Sequence, residues 1–469
     1  MATHDPLEVD ELRVVIADMW RMHMDERAWL DRIYEFAKGL RGIPEVPEDS
    51  EREIKDLARL SVMNILGGIR DTWTRNLSVV GYRRENAEEN DPAWAMWQRN
   101  RMDARQKEVY KPATTYGAAY VKALNDEKGR PVFHPRSPRQ LLATYRDPSL
   151  DMWPQYALET WVDNTDAKPR RKGMLLDDEW VYPFDLGEVA ALIDDNVSQP
   201  IIVREFDEPY EHNATFDGEP VCPVVRFVND RDADDAIVGE IAPYIRDQKA
   251  INNVNFDRLI VSRFGAQPQT VISGWSASRS EVLKASAARV WAFDDPDVTA
   301  QRLPAAPLNG YSDLLDAMIA HVYEKAGLSP AKNGKMVNLS ADALALANKD
   351  ENEKLIDKKE SFGESWEQLL RLGAEMDGDS VTAADSGAEV VWRDTTARSL
   401  AAVVDAIAKL EGAGVPVAPL LPMLPGLTQQ QIRGIQKAIA DAAESDEEPA
   451  EADALPEYVD EVEQIPLPV

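Results

Sequence analysis

The chain carries one cysteine and five histidines in 469 residues, and it has no apolar run near the ~18 residues of a membrane-spanning helix. A single thiol, Cys222, excludes an intrachain disulfide and any zinc site built from cysteines. Its setting, Val221-Cys222-Pro223-Val224-Val225, reads as a small buried hydrophobe in an extended run. His4, His23, His134, His212 and His321 are scattered, with no pair at the i, i+4 spacing of a helical metal site. Acids rather than an apolar stretch follow Met1, so synthesis in the cytoplasm without a secretory leader is expected. Basic charge is also scarce. Lys and Arg number 52 against 83 Asp and Glu, a net charge of −31, which argues against the cationic surface of a sequence-reading nucleic-acid binder. From Asp441 to Val469 there are eleven acids and no base, so the rest of the chain still carries −20.

Apolar spacing organises what is present. The first ~40 residues predict a helix through Leu12, Val15, Ile16, Met19, Trp29, Leu30, Ile33, Phe36 and Leu40, ended by Pro44 and Pro47. A second helix is expected from near Glu51 through Ile54, Leu57, Leu60, Ile65 and Ile69 towards Trp73. Asn76 to Tyr82 reads as extended, and Pro92 onwards as helical until Gly117 permits a turn into a strand. Residues 130–230, with prolines and alternating runs, predict a mainly β section. Long helices follow at Ile241–Phe264 and Asn309–Ala326, with a mixed insert, Gln267–Ala306, between them. Ser340–Met376 lacks proline; as one helix it would span roughly 55 Å, with Gly363 the expected bend. A short strand at Glu389–Trp392, an amphipathic helix through Leu400, Val403, Val404, Ile407 and Leu410, and a capping box at Thr428–Gln431 complete the pattern. Pro416, Pro419, Pro422 and Pro425 suggest an extended connector before that last helix, and the acidic tail reads as disordered.

No catalytic or nucleotide-binding motif in the chain is complete. Gly327–Lys335 lacks the first glycine and the Ser or Thr of a phosphate loop, and Gly274-Trp275-Ser276-Ala277-Ser278 lacks the second glycine of a nucleophile elbow. Asp230, Asp232 and Asp234 occupy alternate positions of a calcium loop, but Asp235 and Ile241 stand where glycine and a bidentate Glu are needed. A solvated acidic turn is the better reading, and no catalytic residue, metal or cofactor is expected. Two acid-free stretches stand out against the acidic background. Lys325–Ala341 carries Lys325, Lys332 and Lys335, read either as an ordinary helix connection or as a mobile loop meeting a polyanion. Lys128–Arg146 carries five bases, suited equally to a surface or subunit contact and to nucleic acid.

Several collinear segments resemble the portal proteins of tailed bacteriophages, in particular those of actinobacterial siphophages. They are Leu77–Tyr82, Trp97–Asp103, Tyr116–Val121, Tyr145–Pro148, Pro220–Asn229, and Leu328-Ser329-Pro330 ahead of Asn338–Leu344. A departure is Gly239-Glu240-Ile241, where such relatives often have Gly-Arg-Ser before the first stem helix. The resemblance implies an α+β portal fold assembled as a ring: a wing over 1–240, stem helices at 241–265 and 307–327, a small α/β clip at 266–306, and a tunnel loop at 328–339. A long helix with a return strand follows at 340–395, then a helical crown at 396–443 and the tail at 444–469.

The implied function is a ring of about twelve subunits at one capsid vertex of the virion, at the head–tail interface. Such a ring passes double-stranded DNA during packaging and ejection without sequence specificity, and no membrane is involved. The implied partners are further copies of the chain, the major capsid protein, the large terminase subunit and a head–tail connector or adaptor protein. The tunnel-loop residues implied to meet DNA are Lys332, Asn333, Gly334, Lys335 and Asn338. The clip residues implied to meet connector and terminase are Trp275, Arg279, Lys284, Arg289 and Trp291. The charge agrees, since an acidic wall lets a duplex slide where dense phosphate neutralisation would hold it. The competing classes are a capsid-associated scaffold or binding protein that does not conduct DNA, and a metal-dependent hydrolase built on the acidic clusters.

Overall fold

The structure, a computed structural model, describes residues 3–84, 91–165, 168–189, 203–234, 236–265, 270–273, 299–302, 307–329, 348–393, 400–417, 420–421, 424, 431–432, 434–439 and 441. The chain divides into two compact units, Met1–Arg393 and Asp394–Val469.

The first unit opens with α1 (Val9–Ala37), α2 (Arg52–Leu60), α3 (Ile65–Asn76), β1 (Val79–Arg83), α4 (Asp91–Arg99) and α5 (Met102–Tyr116). The single helix expected from Glu51 to Trp73 is two. Asn64 ends the break by accepting a hydrogen bond from the Gly67 amide, an N-cap for α3, and Leu60 is left exposed at the end of α2. The helix expected from Pro92 is likewise split, at Arg101, which adopts the left-handed conformation (φ 55°).

Two sheets follow. Strands β2 (Ala118–Asn125), β3 (Pro131–Arg136) and a later strand, β12 (Val224–Val228), form one in the order β12-β2-β3. Strands β4 (Leu141–Thr144), β5 (Tyr156–Asp163), β6 (Arg170–Leu176), β7 (Trp180–Glu188) and β8 (Glu205–Phe206) form the other in sequence order, with β9 (Tyr210–Glu211) also on β7. A small hairpin, β10 (Thr215–Phe216) with β11 (Glu219–Pro220), precedes β12. Strand alternation sorts the larger sheet's side chains. Leu158, Leu175, Tyr182 and Phe184 face Leu12, Ile16 and Met19 of α1, while Ala157, Leu176 and Val181 face Tyr120, Cys222 and Val224 of the smaller sheet. Cys222 is buried there, 1 % exposed, as its apolar setting predicts.

Next come α6 (Ile245–Ile260), continued by a π turn at Val261–Gly265, then β13 (Thr270–Ser273), β14 (Thr299–Arg302) and α7 (Asn309–Lys325). The two strands pair antiparallel, Thr270 opposite Arg302, so the segment between them leaves and returns at one place. Helix α8 (Lys349–Asp377) is followed by the short α9 (Ser380–Ala383) and by β15 (Glu389–Trp392), which pairs with β1. Helix α8 passes through Gly363 without a break. A Cβ at that glycine would meet Val390 at an ordinary 3.5 Å, so no close approach demands it.

The main core gathers on α8. Trp366 meets Phe227 edge-on with ring centroids 4.5 Å apart and Trp97 at 4.9 Å, and its indole N–H donates to the Tyr110 hydroxyl at 2.9 Å. Such aromatic contacts add ~0.5–1.5 kcal/mol each beyond area burial. Ile69, Trp73, Val109, Val121, Phe133, Phe362 and Leu370 complete this core.

The second unit contains α10 (Leu400–Gly412), whose Val403 and Ile407 pack against Leu420. In its described part the expected extended connector is instead turned: the Leu420 amide donates to the Val417 carbonyl and the Leu424 amide to the Leu421 carbonyl. Residues 431–432 and 434–439 are helical, as the capping box predicts, and Ile432 is buried. The acidic tail lies outside the described residues. Among the described residues, no helix is long and apolar enough to cross a membrane.

Candidate functional site

Lys332, Asn333, Gly334, Lys335 and Asn338 lie outside the described residues, as do Trp275, Arg279, Lys284, Arg289 and Trp291. The structure does show the root from which the first group departs. Helix α7 closes on Gly327 (φ 72°), with the Leu328 amide donating to the Tyr323 carbonyl and the Gly327 amide to the Glu324 carbonyl. This is the glycine-assisted helix end that satisfies the last carbonyls. It turns Leu328 and Ser329 into the protein, each 3 % exposed. The Ser329 amide then donates to Glu351 Oε2 at 3.0 Å, at the start of α8.

One turn along α8 the same root meets a buried cluster of charges. Lys354 Nζ reaches Glu240 Oε2 at 2.8 Å and the Ala326 carbonyl at 3.3 Å. Lys358 Nζ reaches Glu240 Oε1 at 2.6 Å and Asn229 Oδ1 at 2.7 Å. Both ammoniums lie over the Trp73 ring, 5.2 and 5.4 Å from its centroid, where the ring quadrupole favours a cation. Burial alone would raise the Glu240 carboxyl, but the Lys358 and Lys354 charges outweigh it and hold it below the ordinary carboxylate range. Burial draws the Lys358 ammonium down, against the pull of Glu240.

Backbone geometry fixes Glu240 in place. Its amide donates to the Thr114 carbonyl at 2.7 Å, and Asn229 Nδ2 donates to the Val238 carbonyl at 3.0 Å. Gly239 permits this approach, because a Cβ there would lie 2.5 Å from the Thr115 carbonyl oxygen. Immediately beyond, the Tyr244 hydroxyl donates to the Lys325 carbonyl at 3.0 Å, and Lys325 Nζ pairs with Asp247 at 3.1 Å, tying α7 to α6. Three amides of α6 then read loop backbone. Gln248 Oε1 accepts from the Ile65 amide at 3.1 Å, Asn252 Nδ2 donates to the Gly42 carbonyl at 2.8 Å, and Asn255 Nδ2 donates to the Ser61 carbonyl at 2.8 Å. The break between α2 and α3 exposes the Ser61 and Ile65 groups to α6, and the connection before α2 exposes Gly42.

Two other motifs are absorbed structurally, at least in part, while Gly274–Ser278 lies outside the described residues. Asp232 Oδ1 accepts from the Asp234 and Ala236 amides, which makes the acidic run an Asx turn rather than a calcium loop. Within Lys128–Arg146, Arg136 pairs with Glu159, and Arg139 pairs with Asp31 at 2.6 Å while lying 4.1 Å from the Tyr34 ring centroid. Of the three lysines in Lys325–Ala341, Lys325 is occupied between the two helices.

In the sequence Glu240 stands out only as a departure, and nothing there singles out Lys354, Lys358 or Asn229 for a role. A usable signal existed in α8: Lys358 falls in register with Leu355, Phe362 and Leu369, a core-facing stripe where an ammonium needs a partner.

A family model described as "Phage portal protein, SPP1 Gp6-like" matches residues 79–445. The chain belongs to this phage portal protein family. The portal protein of Mycobacterium phage D29 is 25% identical over 371 residues, covering 74% of this chain and 72% of the relative. The portal protein of Mycobacterium phage L5 is 25% identical over 370 residues, with the same coverage. Among solved structures, a chain from the neck of a native GTA particle computed with C12 symmetry is similar with a TM-score of 0.47 and 12% identity, covering 81% of this chain and 95% of that one. The α+β class expected of such a portal protein is the one observed, and the ion-paired root just described lies within the matched residues.

Proposed function

We propose that this portal protein assembles into a ring of about twelve subunits at one capsid vertex, where it conducts double-stranded DNA in packaging and ejection. It acts without catalysis. Membership of the portal family over residues 79–445 carries this reading. In it, α6 and α7 are the stem, the insert joined to them by β13 and β14 is the clip that receives terminase and connector proteins, and residues 328–339 are the tunnel loop. Residues 396–443 are the crown, and major capsid protein surrounds the wing. Two observations support the assignment: the insert leaves and returns through one antiparallel strand pair, and the segment from residue 330 departs from a root held by buried charge.

A wall of net negative charge keeps the duplex sliding, and Lys332 and Lys335 touch it at one level. Native mass measurement and axial imaging of the purified protein test the ring; a stable monomer under assembly conditions overturns it. Replacing Lys332 and Lys335 with Ala should leave the ring intact and lower the yield of packaged genomes. An unchanged yield removes both lysines from the mechanism without touching the ring.

A further inference from the structure

Far from the root of residue 330 along the chain, the N-terminal segment lies across the turn between β6 and β7. The Thr3 amide donates to both oxygens of Glu179 at 2.6 and 2.8 Å, and the His4 amide to Oε2 at 3.0 Å. The Trp180 indole N–H donates to the His4 carbonyl at 3.1 Å, and the Leu7 amide to the Tyr182 hydroxyl at 3.1 Å. These bonds hold His4 with its Nε2 3.3 Å from Asp178 Oδ1 and 3.5 Å from Glu179 Oε2. Donor atoms of His4, Asp177 and Asp178 all lie within 4.8 Å of one another.

Asp177 is the fixed member. It is 3 % exposed, its Oδ1 accepts from the Glu179 and Trp180 amides at 3.0 and 2.6 Å, and its Oδ2 accepts from the Tyr182 hydroxyl at 2.7 Å. Such outer hydrogen bonds orient a ligating carboxylate and leave a lone pair on Oδ2 for an ion. Glu179 acts one step further out, by pinning the backbone that carries His4. His4, Asp177 and Asp178 open on a cavity of about 490 Å³ whose other walls include Arg146, Asp151, Trp153 and Tyr156. That volume leaves room for water to complete a coordination sphere. Donor atoms around a four-coordinate ion at ~2.1 Å stand roughly 3.4 Å apart, so small rotations of His4 and Asp178, both at the surface, close the set.

We propose that His4, Asp177 and Asp178 form a site for one divalent transition-metal ion, with water in the remaining positions. One imidazole nitrogen and two carboxylate oxygens suit Zn²⁺ or Mn²⁺ better than Mg²⁺ or Ca²⁺, which take oxygen sets. The ion staples the N-terminal segment to the larger sheet. The site joins residues 173 or more positions apart, and His4 lies ahead of the residues matched by the portal family.

Calorimetric titration of the purified full-length protein with ZnCl₂, and separately with MgCl₂, tests it, alongside thermal unfolding in EDTA and in Zn²⁺. The expected result is one saturable Zn²⁺ site per chain, a raised Tm in Zn²⁺, and affinity lower by on the order of tenfold or more in His4→Ala and in Asp178→Asn. Unchanged Tm values of both variants in EDTA show that the fold is intact. Absence of saturable Zn²⁺ binding overturns the proposal. So does Zn²⁺ affinity unaffected by either substitution, or Mg²⁺ binding that equals Zn²⁺ binding and ignores His4→Ala.

Discussion

Two places in the first unit bury one carboxylate between two bases, and they differ in what they join. Between the sheets, Glu159 on β5 pairs with Lys122 on β2 and Arg136 on β3, with Lys122 also 3.0 Å from Met174 Sδ. At the root of residue 330, Glu240 pairs with Lys354 and Lys358. The first triad connects strands 23 and 37 residues apart; the second connects segments 114 and 118 residues apart. The acid in each is almost enclosed, with 4 % and 5 % of its side chain exposed. In both, neighbouring cations overcome the burial that would raise the carboxyl, and each acid is held low.

The sheet triad therefore clamps two sheets together, each of which its own ladder hydrogen bonds already hold in register. The α8 triad fixes the relation of elements that share no ladder: α5 through Thr114, α7 through Ala326, and the start of α8. A buried ion pair is weak evidence for net stability, because desolvation offsets attraction. Its geometry is nevertheless demanding, and at the α8 root it sets where an unladdered segment begins.

Removing the shared acid gives the largest expected effect. Glu240→Ala and Glu159→Ala each strand two bases, and each should cost about 3–5 kcal/mol in denaturant unfolding. The difference between the triads lies in function: Glu240→Ala should also lower packaged-genome yield in particles that still contain rings, whereas Glu159→Ala rings should package normally once stability is matched by temperature. Equal packaging defects would erase the distinction.

Within the α8 triad the two bases should separate. Lys358, with 2 % of its side chain exposed, should cost about 3 kcal/mol when replaced by Met, because Glu240 keeps only a partly wet partner. Lys354, 31 % exposed, should cost about 1 kcal/mol or less in the same unfolding assay.

A third carboxyl, this one on α8, sharpens the contrast because no base faces it among the described residues. Glu367 accepts the Val390 amide at 3.0 Å, and burial pushes its carboxyl up to about 7, with Glu364 and Glu389 adding to the rise. A raised folded value means stability held at acid pH and lost as pH rises through about 7. Glu367→Gln should flatten the fall in Tm between about pH 4.5 and 7, and an unchanged pH profile contradicts that. The smallest effect belongs to Gly363→Ala, expected to stabilise by about 1 kcal/mol because the helix is continuous there and the added methyl meets only ordinary contacts.

What could be read from the sequence follows from how local each signal is. The 3.6-residue spacing located α1, α7 and α10, and the short β-prone run at Glu389–Trp392 located β15 to the residue, because those patterns need only neighbouring positions. The breaks at Asn64 and Arg101 were invisible because tertiary partners sustain them: Gln248 and Asn252 bind the Met63–Leu66 backbone, and Asn100 spans to Pro131 and Phe133. Glu240 showed only as a misfit to a familiar tripeptide, since its partners stand more than a hundred residues later. The His4, Asp177 and Asp178 cluster had no periodic signature at all, for the same reason.

The longest helix of the N-terminal half has a consequence for how the chain can be cut. Helix α1 spans about 43 Å; its first half supplies Leu12, Ile16 and Met19 to the larger sheet, and its second half supplies Ile33, Phe36 and Ala37 to the core around Trp366. Both halves lie ahead of residue 79, where the family match begins. A polypeptide started at Val79 would keep every matched residue and yet open two hydrophobic cores along one seam. The span by which relatives recognise one another is thus shorter than the span that folds, and α1 is the lath that closes the difference.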